Sequence, residues 1–210
     1  MKTSDSHDHK ENFKFISVDV IISYPDEFII QKDNLLTIIP LMSSEYFVQF
    51  DIKPTVVMSG YRSILHLTTG ENSGEHGTRY PAVLMEGSTR KLLIRTSLGI
   101  NDEEYGYEVY TSSLPMNQFT TITIFQFKVN TTYIYKIWVN GTEVHSKVNP
   151  NPKSFAGVKV YAGSPWRDAA DAYIRNLSIN PKYNKGIKFV KRWQCFSHGY
   201  LPICHNQNLI

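Results

Sequence analysis

Three consecutive acidic residues, Asp102, Glu103 and Glu104, form the first group in this sequence that could do chemistry. Two carboxyl groups that flank a glycosidic bond are the usual means of sugar cleavage, and Tyr105 and Tyr107 follow directly. Consecutive residues of a strand point to opposite faces, so Glu103 and Glu104 would share one site only in a turn. A solvated acidic loop is the simpler interpretation. We therefore treat the three acids as candidates for a ligand-binding loop and predict no catalytic residue.

A second group of oxygen-bearing side chains lies in the glycine-rich stretch 69–77. Glu71, Asn72 and Glu75 are its members. Calcium accepts carboxylate and amide oxygens from such loops, so calcium is the cofactor that this pattern would allow. A long connecting loop is the simpler interpretation, and we predict no cofactor and no metal site. His66, just before this stretch, is expected to be a packed residue and not a ligand.

Several functional classes are excluded by what the sequence lacks. It contains no nucleophile elbow, no zinc-protease motif, no phosphate-binding glycine loop and no EF-hand loop. Lys and Arg number 22 against 19 acidic residues, a net charge of +3 that is too small to predict nucleic-acid binding. No apolar run is long enough for a transmembrane helix, and the residues after Met1 do not resemble a signal peptide.

Cys195 and Cys204 are the only cysteines. The residues between them include Gly and Pro, so the chain can turn back on itself there. The two thiols would pair in an oxidising compartment and stay reduced in the cytosol. His198 and His205 lie nearby, but their spacing does not match a standard zinc site.

The elements that must position these side chains are strands. Residues 46–53 alternate apolar and polar side chains, which predicts a half-buried strand that Pro54 ends. Similar runs, bounded by Gly, Pro, Asn or Ser, occur at 13–22, 62–68, 80–85, 91–96, 105–111, 157–162 and 172–179. No segment keeps a helical period over ten residues. About twelve short strands separated by turns predict an all-β, antiparallel two-sheet sandwich.

The stretch 120–129 changes phase in its middle. Ile122 and Ile124 share one parity, whereas Phe125 and the apolar residues after it share the other. A β-bulge near residues 124–125 would return all of them to one face. A strand that is buried on both faces is the alternative.

The Asn-Gly pair at 140–141 joins two β-prone runs, 133–139 and 142–145, and predicts a type I′ hairpin turn. Asn140 also begins an Asn-x-Ser/Thr sequon, as Asn130 does. Both lie in predicted turns and are glycosylation candidates in a secreted protein. A third sequon, at Asn176, lies in a predicted strand and is less suited to modification.

The chain divides into three parts. Residues 1–12 are polar and are expected to form a disordered tail, and 13–180 form the predicted sandwich. Residues 181–210 form a basic appendage that carries Cys195 and Cys204. From residue 172 to 210 there are six Lys or Arg residues and no acid, which favours a solvated tail on an acidic face. Contact with anionic glycans or lipid headgroups is the alternative.

Four blocks of sequence occur in an order that resembles one family. They comprise 34–40 with 46–54 and 63–70, then 114–122, then 138–141, and last 158–177. Together they are similar to the laminin-G-like, concanavalin-A-like modules of invertebrate extracellular proteins, over roughly residues 34–180. The resemblance implies a two-sheet jelly roll with a lectin-like or adhesive role, binding glycans or matrix and cell-surface proteins. It implies an extracellular location.

Glycoside hydrolases share this fold and place alternating acids on one strand. This chain has no such strand, so a non-catalytic recognition module is favoured. A glycan hydrolase that uses Glu103 or Glu104 and a purely adhesive protein without a small ligand are the alternatives. Residues that match the family look structural, and Trp166 is expected to pack. The oxidising compartment that the resemblance implies leads us to expect a disulfide between Cys195 and Cys204.

Overall fold

The computed structural model describes residues 21–73, 75–96 and 106–182, together with the backbone of two short strands near the C-terminus. Those three ranges hold thirteen strands and no helix. In chain order the strands are β1 (Ile22–Tyr24), β2 (Phe28–Ile29), β3 (Leu35–Met42), β4 (Tyr46–Pro54), β5 (Tyr61–Thr68), β6 (Ala82–Glu86), β7 (Lys91–Thr96), β8 (Tyr107–Ser113), β9 (Thr120–Val129), β10 (Thr132–Val139), β11 (Thr142–Asn149), β12 (Phe155–Tyr161) and β13 (Ala172–Asn180). Within these ranges no segment is a helix that could cross a membrane.

The strands form two antiparallel sheets. The first sheet has the order β1-β13-β4-β9-β10-β11, and β2 also pairs with β13. The second sheet has the order β3-β12-β5-β6-β7-β8. Neighbours in each sheet are often distant in sequence, as in a jelly roll. The predicted all-β, antiparallel two-sheet jelly-roll sandwich is confirmed.

The hydrophobic core lies between the sheets. Alternate residues of the central strands point into it and are fully buried, among them Phe50, Ile52, Leu65, Leu67, Val83, Met85, Ile94, Ile122 and Ile124. Burial of one such side chain stabilises a fold by about 1.5–3 kcal/mol. This layer therefore fixes which face of each strand points outward, towards the loops that form the functional site.

Two sequence-based predictions about strands are corrected. The β-bulge near residues 124–125 is wrong, because β9 keeps one unbroken register with both β4 and β10. The alternative is right: Ile124 faces the core, and Phe125 is buried on the other face, where its ring lies 5.2 Å from that of Trp138. The half-buried strand predicted at 46–53 is also buried on both faces. Asp51, on its polar face, is 8% exposed, because Arg175 and two other side chains bond its carboxylate.

The hairpin between β10 and β11 is confirmed. Asn140 and Gly141 both have positive φ, 49° and 77°, as a type I′ turn requires. Asn140 Oδ1 also accepts a hydrogen bond of 2.9 Å from the backbone N–H of Thr121. The strand predicted at 46–53 ends at Pro54 as expected. Most of the predicted strand 13–22, and the predicted tail 1–12, lie outside the described residues.

The C-terminal appendage contains two strands whose backbone is described, β14 (Gln194–Phe196) and β15 (Ile203–His205). They pair in antiparallel register with Cys195 directly opposite Cys204. Opposite residues of such a pair bring their Cβ atoms about 4.5–5.5 Å apart, close to the separation of about 3.5–4.5 Å in a disulfide. The backbone register is thus compatible with the expected bridge, and the bridge itself stays a prediction.

We expect the unreduced protein to have a mass lower by two hydrogens than the reduced protein, because Cys195 and Cys204 pair. The closed loop is short, so the bridge should add at most about 2–3 kcal/mol, and only to the appendage. A Cys195→Ser/Cys204→Ser double variant should keep the thermal midpoint of the sandwich. Two alkylatable thiols in the unreduced wild-type protein would contradict the pairing.

Candidate ligand-binding site

The oxygen-bearing residues predicted at 69–77 tie their own loop together. Asn72 Oδ1 accepts a hydrogen bond from Arg79 Nε at 3.2 Å, and the Asn72 carbonyl accepts one from Arg79 Nη2 at 3.1 Å. The carbonyl oxygens of Glu71 and Glu75 accept hydrogen bonds from threonine hydroxyls. The positive charge of Arg79 at Asn72 disfavours a cation there. Among the described residues, no three His, Cys, Asp or Glu side chains are grouped as metal ligands.

The remaining predicted residues fall in different places. Asp102, Glu103 and Glu104 lie outside the described residues. Asn130 and Asn140 lie at exposed hairpin turns, so both are accessible, and their glycosylation stays a prediction. Among the described residues, the sequence-predicted candidates therefore lie in separate loops and hairpin turns.

A pocket of about 320 Å³ lies elsewhere, at one end of the second sheet. Three segments that are far apart in sequence meet there: the connection from β2 to β3, the connection from β4 into β5, and the loop 162–171 between β12 and β13. Its lining is almost entirely polar or aromatic and comprises Lys32, Ser59, Gly60, Tyr61, Arg62, Trp166, Arg167 and Asp168.

The loop 162–171 is fastened at both ends to β5. On its first side, the Ser164 N–H donates to Ser63 Oγ at 2.9 Å, and the Gly163 N–H donates to the Ile64 carbonyl at 2.9 Å. On its far side, the Ser63 N–H donates to the Asp168 carbonyl at 2.8 Å, and the Ala170 N–H donates to the Ser63 carbonyl at 2.9 Å. These hydrogen bonds fix both ends of the loop, and Trp166 lies between them.

Gly163 is required for the close approach at the start of this loop. Its φ is +97°, and a Cβ at this position would lie 2.1 Å from the carbonyl oxygen of Gln31. Any other residue would therefore overlap the backbone of the β2–β3 connection. The sequence places glycine where the two segments need to touch.

Trp166 lies on an aromatic support at the surface. Tyr161 and His66 are cross-strand partners, and their sequence neighbours Val160, Leu65 and Leu67 point into the core, so both rings project from the outer face. The Trp166 ring lies 5.2 Å from His66 and 6.2 Å from Tyr161. It nevertheless stays 40% exposed. The expectation that Trp166 packs is thus only half met, because one part of the ring is open to solvent.

His66 is the buried member of this support. It is 2% exposed, and its Nε2 lies 2.8 Å from the carbonyl oxygen of Thr78. Burial lowers the pKa of His66 to about 4, and the positive charges of Arg79 and Arg167 act in the same direction. The imidazole is therefore neutral at pH 7, and Nε2 carries the proton because it must donate to a carbonyl.

Asp168 is the centre of an exposed ion-pair network in the lining of the pocket. Its Oδ1 lies 3.2 Å from Lys32 Nζ and its Oδ2 lies 2.9 Å from Arg62 Nη1. Arg62 Nε also donates to the Ser59 carbonyl at 3.0 Å, which joins all three segments. The hydrogen bond and the charge of Lys32, together with the charge of Arg62, hold the pKa of Asp168 below its usual value.

The sequence alone does not predict this site, although the loop with Trp166 belongs to the segments that resemble a known family. Residues 164–168 read Ser-Pro-Trp-Arg-Asp and belong to the last block of the family resemblance. A tryptophan that directly follows a Gly-Ser-Pro turn and is followed by two charged residues is a signal that the ring lies in a surface loop. The cations contributed by the two other segments leave no such signal, because only the fold brings them there.

Comparisons with known proteins show a likeness of fold alone. No family model matches the chain, and no curated protein matches it. Among solved structures, the chain is similar to the Caenorhabditis elegans galectin LEC-6, with 12% identity over 78% of this chain and 98% of that one, at a TM-score of 0.42. It is also similar to the receptor-binding domain of botulinum neurotoxin D, with 14% identity over 79% of this chain and 41% of that one, at a TM-score of 0.46.

A third similar structure is Trypanosoma rangeli sialidase in complex with 2,3-difluorosialic acid, with 7% identity over 67% of this chain, at a TM-score of 0.48. This chain spans only 21% of the sialidase chain and less than half of the toxin domain. What the fold defines is an all-β, antiparallel two-sheet sandwich. The resemblance to laminin-G-like modules in particular stays a prediction.

Proposed function

We propose that this chain is a non-catalytic, extracellular recognition module that binds glycans through the Trp166 pocket. The observation that carries the proposal is that Trp166, which is 40% exposed, lines a surface pocket together with several charged side chains. A sugar ring has an apolar C–H face and a rim of hydroxyl groups. An aromatic face with a few fixed polar groups around it matches that chemistry.

The state of Asp168 favours binding over catalysis. Hydrolysis of a glycosidic bond usually needs two carboxyl groups, one of them kept protonated by a raised pKa. Asp168 is the one carboxylate among the described residues of the pocket wall, and Lys32 and Arg62 lower its pKa. Asp168 is thus suited to accept hydrogen bonds from ligand hydroxyls or to hold the two cations, and not to donate a proton.

A glycan array probed with the wild-type protein and with Trp166→Ala tests the proposal. We expect the variant to bind its glycans about 30-fold more weakly or worse, because truncating a tryptophan that anchors a ligand costs about 2 kcal/mol or more. Trp166→Phe, which keeps an aromatic face, should lose less. Val148→Ala is the matched control, because Val148 is 53% exposed on the first sheet, and it should bind as the wild type does.

Three results would contradict the proposal. Equal binding by wild type and Trp166→Ala would place any glycan site elsewhere. Cleavage of arrayed oligosaccharides that is lost on Glu103→Gln or Glu104→Gln would show the alternative hydrolase. An array without any bound glycan, together with a protein captured by the wild-type chain, would show the alternative adhesive protein.

A further inference from the structure

The charge balance of the Trp166 pocket carries information beyond glycan binding. Three cationic side chains, Lys32, Arg62 and Arg167, and one carboxylate, Asp168, line it. Lys32 and Arg62 share that carboxylate. The side chain of Arg167 forms no ion pair with any residue that the structure describes. The pocket therefore keeps an excess of positive charge next to an exposed aromatic ring.

We propose that the ligand of this pocket carries a carboxylate: it is an acidic sugar, such as a hexuronic acid, whose carboxylate binds Arg167 while its ring lies on Trp166. The inference rests on the proposed glycan binding and names the class of glycan. A neutral sugar would leave the excess positive charge uncompensated, whereas an anionic sugar compensates it.

The shapes of the groups favour a carboxylate on a sugar. A guanidinium is planar and presents parallel N–H groups that match the two oxygens of a carboxylate. Arg167 directly follows Trp166 in the loop that is fastened to β5, and both side chains line the pocket. The volume of about 320 Å³ lies at the low end of the range of about 300–1,000 Å³ for small-ligand pockets. That volume suits the end of a chain of sugars.

The two other cations, Lys32 and Arg62, form ion pairs within the protein, whereas Arg167 forms none with a described residue. Arg62 joins the Ser59 carbonyl to Asp168, and Lys32 bonds the second oxygen of Asp168. Both side chains are therefore in position before a ligand binds. Their positive charge acts on the ligand without a movement of either side chain.

The test uses arrayed oligosaccharides that are identical except at C6 of the terminal glucose. One set ends in glucuronic acid, one in glucose and one in glucose 6-sulfate. We expect the glucuronic acid set to bind at least about tenfold more tightly than the glucose set, the ratio that corresponds to one charge-assisted contact of about 1.4 kcal/mol. Arg167→Gln should remove that preference, so that the glucuronic acid and glucose sets bind with equal affinity. Arg167→Lys should keep part of it, because it keeps the charge without the planar fork.

The outcomes separate the two proposals. If the glucose set binds as tightly as the glucuronic acid set, and Trp166→Ala weakens both, the acidic-sugar inference fails and glycan binding stands. If the sulfate set binds most tightly, the pocket selects an anion but not a carboxylate, and the inference also fails. If none of the three sets binds and the broader array is empty too, both proposals fail together.

Discussion

A Gly163→Ala protein is expected to be less stable than the wild type by about 2–6 kcal/mol and to lose the Trp166 pocket. Two costs add. The φ of +97° at this position strains any residue with a side chain by about 1–3 kcal/mol. The new Cβ would also lie 2.1 Å from the Gln31 carbonyl oxygen, so the loop 162–171 or the β2–β3 connection has to move. Overpacking of this kind costs about 1–3 kcal/mol again.

Gly157→Ala separates the two costs. Gly157 also has a positive φ, +64°, but a Cβ there would meet nothing within 4 Å. Urea unfolding of the two variants beside the wild type gives the comparison. Gly157→Ala should lose only the backbone term and should keep ligand binding. Equal losses in the two variants would show that the contact with Gln31 is not what requires glycine.

Acid is expected to remove about 3 kcal/mol of stability as the pH falls from about 6.5 to about 4, because of His66 alone. In the unfolded chain a histidine takes up its proton near pH 6.5, whereas burial keeps the pKa of folded His66 at about 4. The unfolded state therefore binds more protons throughout this window. The contribution is complete above pH 6.5 and lost as the pH falls, at about 1.4 kcal/mol per unit of pKa difference.

The measurement is the free energy of unfolding at pH 7, 5.5 and 4 for the wild type and for His66→Gln. Glutamine does not titrate and keeps a donor for the Thr78 carbonyl, so its stability should fall less steeply with pH. His145→Gln is the matched control. The pKa of His145 is lowered too, but this ring is half-buried, so removing it should change the slope less. Parallel pH profiles of the wild type and His66→Gln would contradict the prediction.

What the sequence predicted well is local. The Asn-Gly turn is set by two residues that tolerate positive φ, and its neighbours supply the strands. The change of phase in β9 is also visible within a few residues, but its cause lies on a neighbouring strand. Phe125 is buried because the ring of Trp138 on the neighbouring strand packs against it. The pattern within β9 therefore predicts a β-bulge, whereas the strand is buried on both faces. A pattern within one strand cannot show what covers its second face.

The same distinction explains the pocket. The two positions that bind Asp168, Lys32 and Arg62, lie 136 and 106 residues from it in sequence. Neither Lys32 nor Arg62 has a neighbour in sequence that suggests a binding site. Trp166 is visible in the sequence, but its 40% exposure depends on where β5 and β12 place His66 and Tyr161. A site formed by three segments that are distant in sequence is determined by the topology of the fold. The periodicity of the sequence does not predict it.

The fastening of the loop 162–171 to β5 makes ligand binding a measure of folding. Ser63 and Ser164 are 101 residues apart, so the Trp166 pocket exists only after the pairing of β5 with β12 has closed that large loop of chain. A peptide that contains residues 158–172 would carry the tryptophan and the arginine without the site. Because a ligand would bind the folded chain alone, a ligand at 100 times its dissociation constant should add about 2.7 kcal/mol to the stability of the whole sandwich. A ligand in this surface pocket would thus protect the central strands of the sandwich from unfolding.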